Sequence, residues 1–108
     1  MGQYEGFLNL LTLDLSLFPW DGNNDLKTTR NVIIHQLGLG WPIPCLTLKH
    51  KNPAMKDFVW HWYIINGLEE FQDTFMVKVV TYGTWFWLDL SMLWTTGYER
   101  KGGLILFS

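Results

Sequence analysis

A single cysteine, Cys45, is all the thiol chemistry this 108-residue chain holds. It excludes an internal disulfide, so nothing in the sequence asks for an oxidising compartment. Charge is scarce as well. Asp, Glu, Lys and Arg make up 17% of the residues, below the quarter or so of an average domain, and 8 basic residues stand against 10 acidic ones. Without a basic excess, a nucleic-acid-binding groove is not expected. No apolar run suits a bilayer, because the densest window, residues 85–94, contains Asp89 and is about half the length a membrane helix needs. Residues 1–6 carry no basic cluster, and Asn9, Thr12, Asp14 and Ser16 interrupt the Leu-rich run that follows. A secretory leader is therefore not expected, and the chain reads as cytoplasmic.

Aromatic residues are what the chain has in abundance: they form 17% of it, including 7 Trp, which implies extensive burial, an aromatic binding surface, or both. With no linker, repeat or low-complexity segment, residues 1–108 read as one domain, long enough to bury about 65% of its unfolded surface. Its organising stretch is residues 57–67. Phe58, Trp60, Trp62 and Ile64 alternate with Val59, His61, Tyr63 and Ile65, giving a strand that is apolar on both faces. Such a strand is expected to be central, with a core on one side and a helix, a second layer or a partner protein on the other. Asn66-Gly67 suits a type I′ turn, so a hairpin into residues 68–71 is expected there.

The remaining elements follow from period and punctuation. Leu11, Leu13, Leu15 and Leu17 alternate with Thr12, Asp14 and Ser16, predicting a strand over residues 7–18 that Pro19 ends. Residues 20–24 read as a turn. Asn24 then serves as N-cap for a helix with Asp25 in its first turn, Leu26, Val32, Ile33 and Leu37 along one side, and Gly38 or Gly40 as its stop. Strands are expected at residues 43–50, 75–82 and 84–93, the last with Trp85, Trp87 and Asp89 on one face. A turn at 94–99 and a final hairpin through residues 100–103 into 104–107 complete the chain. The sum is an α+β fold: a mainly antiparallel sheet of about six strands, with one helix over about residues 25–37 packed on one face.

Chemistry is sparse on this frame, and no enzyme, cofactor or metal is expected. His35, His50 and His61 lie on three elements without ligand spacing, which reads as three hydrogen-bonded or surface imidazoles. Cys45 could meet His61 across neighbouring strands, but Pro44 beside it suits a small buried side chain better. Ser91 lacks a nucleophile elbow. Trp60, Trp62, Trp85 and Trp87 offer either a stacking platform or a Trp-rich core, the simpler reading. Asp21 and Asp25 flank the helix start, while Glu69, Glu70 and Asp73 cluster near the expected hairpin. These charges are either a solvated rim or a docking surface for a basic partner.

Trp20, Asp21, Asp25 and Leu26, followed by Cys45 and Leu46, Asn52 and Pro53, Asp57, Phe58, Trp60, Trp62 and Tyr63, and then Gly67, Phe71 and Gln72, form an ordered pattern. Over residues 20–75 it resembles the immunity proteins of bacterial contact-dependent growth inhibition systems, in particular those that neutralise nuclease toxins. Thr29 and Arg30 depart from the aromatic that such proteins tend to carry within the helix. The resemblance implies a cytoplasmic inhibitor that binds and occludes the C-terminal toxin domain of a cognate, basic partner, with neither nucleic acid nor membrane as its target. It implies partner contacts at Trp20, Asp21, Asp25, Glu69, Glu70 and Asp73, with Trp20 or Trp94 as an exposed anchor. Two other readings stand beside it. One is a small-ligand-binding domain that uses the Trp-rich face; the other is a self-associating homodimer joined through residues 84–93 or 104–107.

Overall fold

The structure, a computed structural model, describes residues 17–107; residues 7–16 of the strand expected over 7–18 lie outside them. Six strands form one antiparallel sheet: β1 (Leu17–Asp21), β2 (Ile43–Thr47), β3 (His61–Phe71), β4 (Thr74–Thr81), β5 (Thr84–Asp89) and β6 (Gly103–Phe107). Their spatial order is β1-β6-β2-β3-β4-β5. The helix α1 (Leu26–Gly38) joins β1 to β2, a 3-10 helix (Pro53–Phe58) precedes β3, and a short helix, α2 (Leu90–Trp94), follows β5. The expected α+β architecture is thus present.

One sheet face carries the core. Along it Ile43 and Cys45, Tyr63 and Ile65, Val77 and Val79, and Leu104 and Leu106 lie buried beneath Ile33 of α1, Met55 and Phe58 of the 3-10 helix, and Leu90, Leu93 and Trp94 of α2. Helix α1 begins one residue later than the Asn24 cap implies, with Asp25 as N-cap. Its buried polar residues have specific tasks. Thr29 Oγ1 accepts a hydrogen bond from Trp20 Nε1 at 3.0 Å. Gln36 clamps β6, donating through Nε2 to the Phe107 carbonyl at 2.9 Å and accepting from the Phe107 N–H at 3.0 Å. Each such bond contributes about 1 kcal/mol while made and leaves a buried orphan when broken.

Five expectations need correction. The central strand starts at His61 rather than Asp57. Asn52 caps the 3-10 helix by accepting from the Ala54 N–H at 2.9 Å, Pro53 opens it, and Trp60 at φ 54° turns the chain into β3. Asn66-Gly67 does not turn, since neither residue has the positive φ of a type I′ turn. A bulge between Ile65 and Gly67 absorbs Asn66, and β3 runs on to Phe71, which keeps Leu68 packed against the core opposite Val77. The reversal falls instead at Gln72-Asp73, with φ 48° and 67°.

The strand expected over residues 84–93 stops at Asp89, whose carboxylate accepts from the Ser91 N–H at 2.8 Å and caps α2. Leu90, Leu93 and Trp94 then have helical spacing toward the core. Residues 100–103 make no hairpin, because β6 lies between β1 and β2. Gly102 and Gly103 permit that insertion: a Cβ on either would meet a neighbouring carbonyl oxygen, that of Leu46 or of Trp20. Pro19, read as ending a strand, sits inside β1 opposite Ile105. The edge position tolerates a residue without an N–H.

Candidate functional site

The β2–β3 pairing ends at Ile43 opposite Ile65, and the β4–β5 pairing ends at Met76 opposite Asp89. Residues 70–75 therefore project beyond both neighbours as a two-stranded arm. A free hairpin is marginal in water, so the arm needs support at its root. Leu68 and Phe75 supply it by packing against the core, and the Arg30 guanidinium carbon lies 4.9 Å from the Phe75 ring centroid. Between α1 and the arm is a hollow of about 430 Å³ lined by residues including Leu26, Arg30, Asp73, Phe75 and Leu90. Arg30 Nε is buried there with no hydrogen-bond partner among the described residues.

The arm gathers three of the six residues expected at a partner surface. Glu69, Glu70 and Asp73 are all exposed; residues 66–75 hold no cation of their own, and Lys27 and Arg30 of α1 line the hollow with Asp73. The pleat divides the first two. Glu69 lies opposite Met76 on the face away from the core, while Glu70 lies opposite Phe75 on the helix side. Next to the turn is Phe71, 67% exposed, which alternation places on the Glu69 face. Phe71 belongs to the resemblance pattern but is not among the expected partner contacts; the signal that could have placed it there is the acidic setting of a lone aromatic beside a turn.

The other three expected contacts are placed apart from the arm in sequence and have local tasks. Asp21 ends β1, and its carboxylate accepts from the Asn23 N–H at 2.7 Å. Asp25 occupies the N-cap position of α1, where its carbonyl accepts from the Thr29 N–H at 3.0 Å and its exposed carboxylate makes no capping bond. Trp20 is half-buried and hydrogen-bonded to Thr29, which makes it part of the scaffold, and Trp94 is buried, its Nε1 donating to the Asn24 carbonyl at 2.8 Å. Neither Trp is an exposed anchor.

The Trp-rich core expected of the sheet-face aromatics is not what forms. Trp85, 55% exposed, and Trp87, 39% exposed, stand on the outer face, in rows with Val80 and Lys78. The Lys78 Nζ is 5.0 Å from the Trp85 ring centroid. Trp62 is half-buried on that face, and Trp60 is exposed in the connection before β3.

Among the described residues no three metal-ligating side chains converge. His50 accepts from the Asn52 N–H through Nδ1 and meets the Met92 carbonyl through Nε2 at 2.6 Å, so Nε2 carries the proton. His61 bonds Thr81 Oγ1 and stacks on Tyr82 at 4.5 Å between centroids. Cys45 is fully buried, and desolvation pushes its thiol up to about 12, which removes the thiolate a nucleophile needs. Burial, with the Cys45 sulfur beside it, likewise pushes the Tyr63 phenol well above its ordinary value. Its hydroxyl shares a 2.7 Å hydrogen bond with Thr47 Oγ1. Among the described residues no helix is long and apolar enough to cross a membrane. Comparison of the chain with protein-family models, curated proteins and solved structures finds no match.

Proposed function

We propose that the chain is a protein-binding module that docks a basic partner through its acidic arm, and that this partner is the toxin domain of a contact-dependent growth inhibition system. The supporting observation is the arm itself. An exposed Phe71 that shares its face with Glu69, next to Glu70 on the opposite face and Asp73 in the turn, has the make-up of an interface anchor with a charged rim. Carboxylates that pair with the basic residues of a nuclease would compete with phosphate for the same groups. Inhibition is stoichiometric: the arm covers the substrate groove in the cytoplasm and no bond is made or broken. The resemblance over residues 20–75 names the partner class, and the acidic arm agrees with it in charge.

Co-expression with the protein encoded immediately upstream tests the reading. Rescue from a lethal C-terminal domain, with a one-to-one complex that weakens on Phe71→Ala, is expected. Absence of both toxicity and complex would overturn it. The exposure of Trp85 and Trp87 on one face favours a second reading, a planar small ligand stacked on the outer face; quenching of Trp fluorescence by a sugar would support it.

A further inference from the structure

The two outer edges of the sheet are unequal. At one, β1 carries Pro19 in its middle and Asp21 at its end, devices that discourage another strand from adding there. At the other, β5 reads Thr-Trp-Phe-Trp-Leu-Asp: it has no proline, no lysine and no charge before its last residue. Its register with β4 is unbroken from Thr81·Thr84 to Met76·Asp89, so no bulge twists the edge away. Among the described residues nothing pairs with its outer side. Trp85, Phe86 and Trp87 are all exposed.

The direction of its free backbone groups follows from the turn. Tyr82-Gly83 is a two-residue loop with both φ positive, at 52° and 73°. In such a hairpin the flanking residues, Thr81 and Thr84, form a hydrogen-bonded pair, and alternation then turns the N–H and C=O of Trp85 and Trp87 outward. We infer that β5 pairs antiparallel with β5 of a second copy of this chain, about a two-fold axis through Phe86. In that register Trp85 lies opposite the partner's Trp87, and Trp87 opposite the partner's Trp85. All four residues exchange backbone hydrogen bonds, and the indoles pair across the outer face. Phe86 meets the partner's Phe86 on the helix side, and Thr84 lies opposite the partner's Leu88. Asp89 falls opposite the partner's Gly83, so no two like charges are opposed.

The neighbouring register, with Trp87 opposite the partner's Trp87, sets Asp89 against an indole and leaves no aromatic opposite Trp85. Self-complementarity about Phe86 is what selects a second copy over a foreign strand. The other self-association candidate from the sequence, residues 104–107, offers less free edge: β1 pairs along all of it, β2 takes Leu104, and Gln36 occupies the Phe107 N–H and carbonyl. The pairing uses the backbone edge of β5 rather than the residues of the acidic arm and stands independently of the toxin reading.

Sedimentation of the full chain over a dilution series tests it, and a concentration-dependent dimer is expected. Phe86→Lys places two ammonium groups opposite each other and should weaken the dimer by about tenfold or more. Mixing Phe86→Lys with Phe86→Glu should restore it. Phe86 rests edge-on against Phe58 at 5.9 Å, so a variant could lose its fold; Phe86→Cys is the second probe. Under mild oxidation it should form a disulfide-linked dimer, with buried Cys45 unreactive. A wild-type chain that stays monomeric, a dimer indifferent to Phe86→Lys, or a Phe86→Cys chain that never cross-links would each overturn the inference.

Discussion

The β1 and β5 ends of the same sheet are built from opposite materials. At the β1 end, backbone meets backbone. Gly22, Gly102 and Gly103 let three chain segments approach more closely than any Cβ allows, and the Gly22 N–H donates to the Gly102 carbonyl at 2.9 Å. At the β5 end, β4 is the one strand among the described residues that holds β5, helped by large side chains such as Phe86, which leans on Phe58. One end is joined by close backbone contact, while the other displays more aromatic surface. The difference teaches that closeness of packing and availability for binding are divided along this sheet: the rigid end anchors, the aromatic end is free to engage.

The most damaging way to break that contrast is Gly102→Ala. The added methyl meets the Leu46 carbonyl oxygen and must separate β6 from β2, so a loss of about 3 kcal/mol or more is expected in urea unfolding. Gln36→Ala comes next, removing both bonds to Phe107 and orphaning two buried backbone groups, for a loss of about 2–3 kcal/mol by the same measurement.

A pH series addresses the seam where β2 meets β6, since Cys45 lies opposite Leu104. The unfolded chain releases the Cys45 proton near the ordinary value of 9.0, whereas the folded chain holds it to about 12. Between those values the unfolded state binds fewer protons, so stability falls as pH rises. Thermal melts from pH 8 upward should show that decline, and Cys45→Ala should flatten its thiol-dependent part while Tyr63 continues to contribute with the same sign.

Exchanging the edge protections sharpens the comparison with a smaller change in stability. Pro19→Val should open β1 to pairing and Trp85→Pro should close β5, which sedimentation of the two variants would show as opposite shifts in association. The smallest effect on folding is expected at the arm. Glu70→Lys should alter unfolding free energy by no more than about 0.5 kcal/mol, while slowing association with a basic partner at low salt. Asp73 is the poorer choice for charge reversal. Its φ of 67° is one that Asp tolerates better than most residues.

Local chemistry was legible in the sequence where one rule acted alone. Cys45 beside Pro44 read as a small buried side chain, as it is, and the period of Leu26, Ile33 and Leu37 located α1. Where two rules competed, the tertiary one won. Asn66-Gly67 is a strong turn signal, yet burial of Leu68 and Phe75 favours continuing the strand, and a bulge reconciles the two. Trp85 and Trp87 look like core residues by composition, but only strand order shows that β5 is an edge. The same holds for the acidic site: Glu69, Glu70 and Asp73 were visible as a cluster, whereas the projection of the arm depends on where β2 and β5 end. Trp20 misled because its apolar bulk was legible and its hydrogen bond to Thr29 was not.

The insertion of β6 between β1 and β2 also sets an order of events. Strands β2 to β5 are sequential neighbours and can zip together through short connections while later residues are still being synthesised. Strand β1 gains its place in the sheet only when residues 103–107 arrive, and the Gln36 clamp on Phe107 closes a span of 71 residues. Closing so long a loop carries a large entropic barrier before any contact repays it, so the β1 half should form last and set the folding rate. Until then β2 presents an open edge of its own, and Pro44 at its second position is the residue placed to keep other strands away.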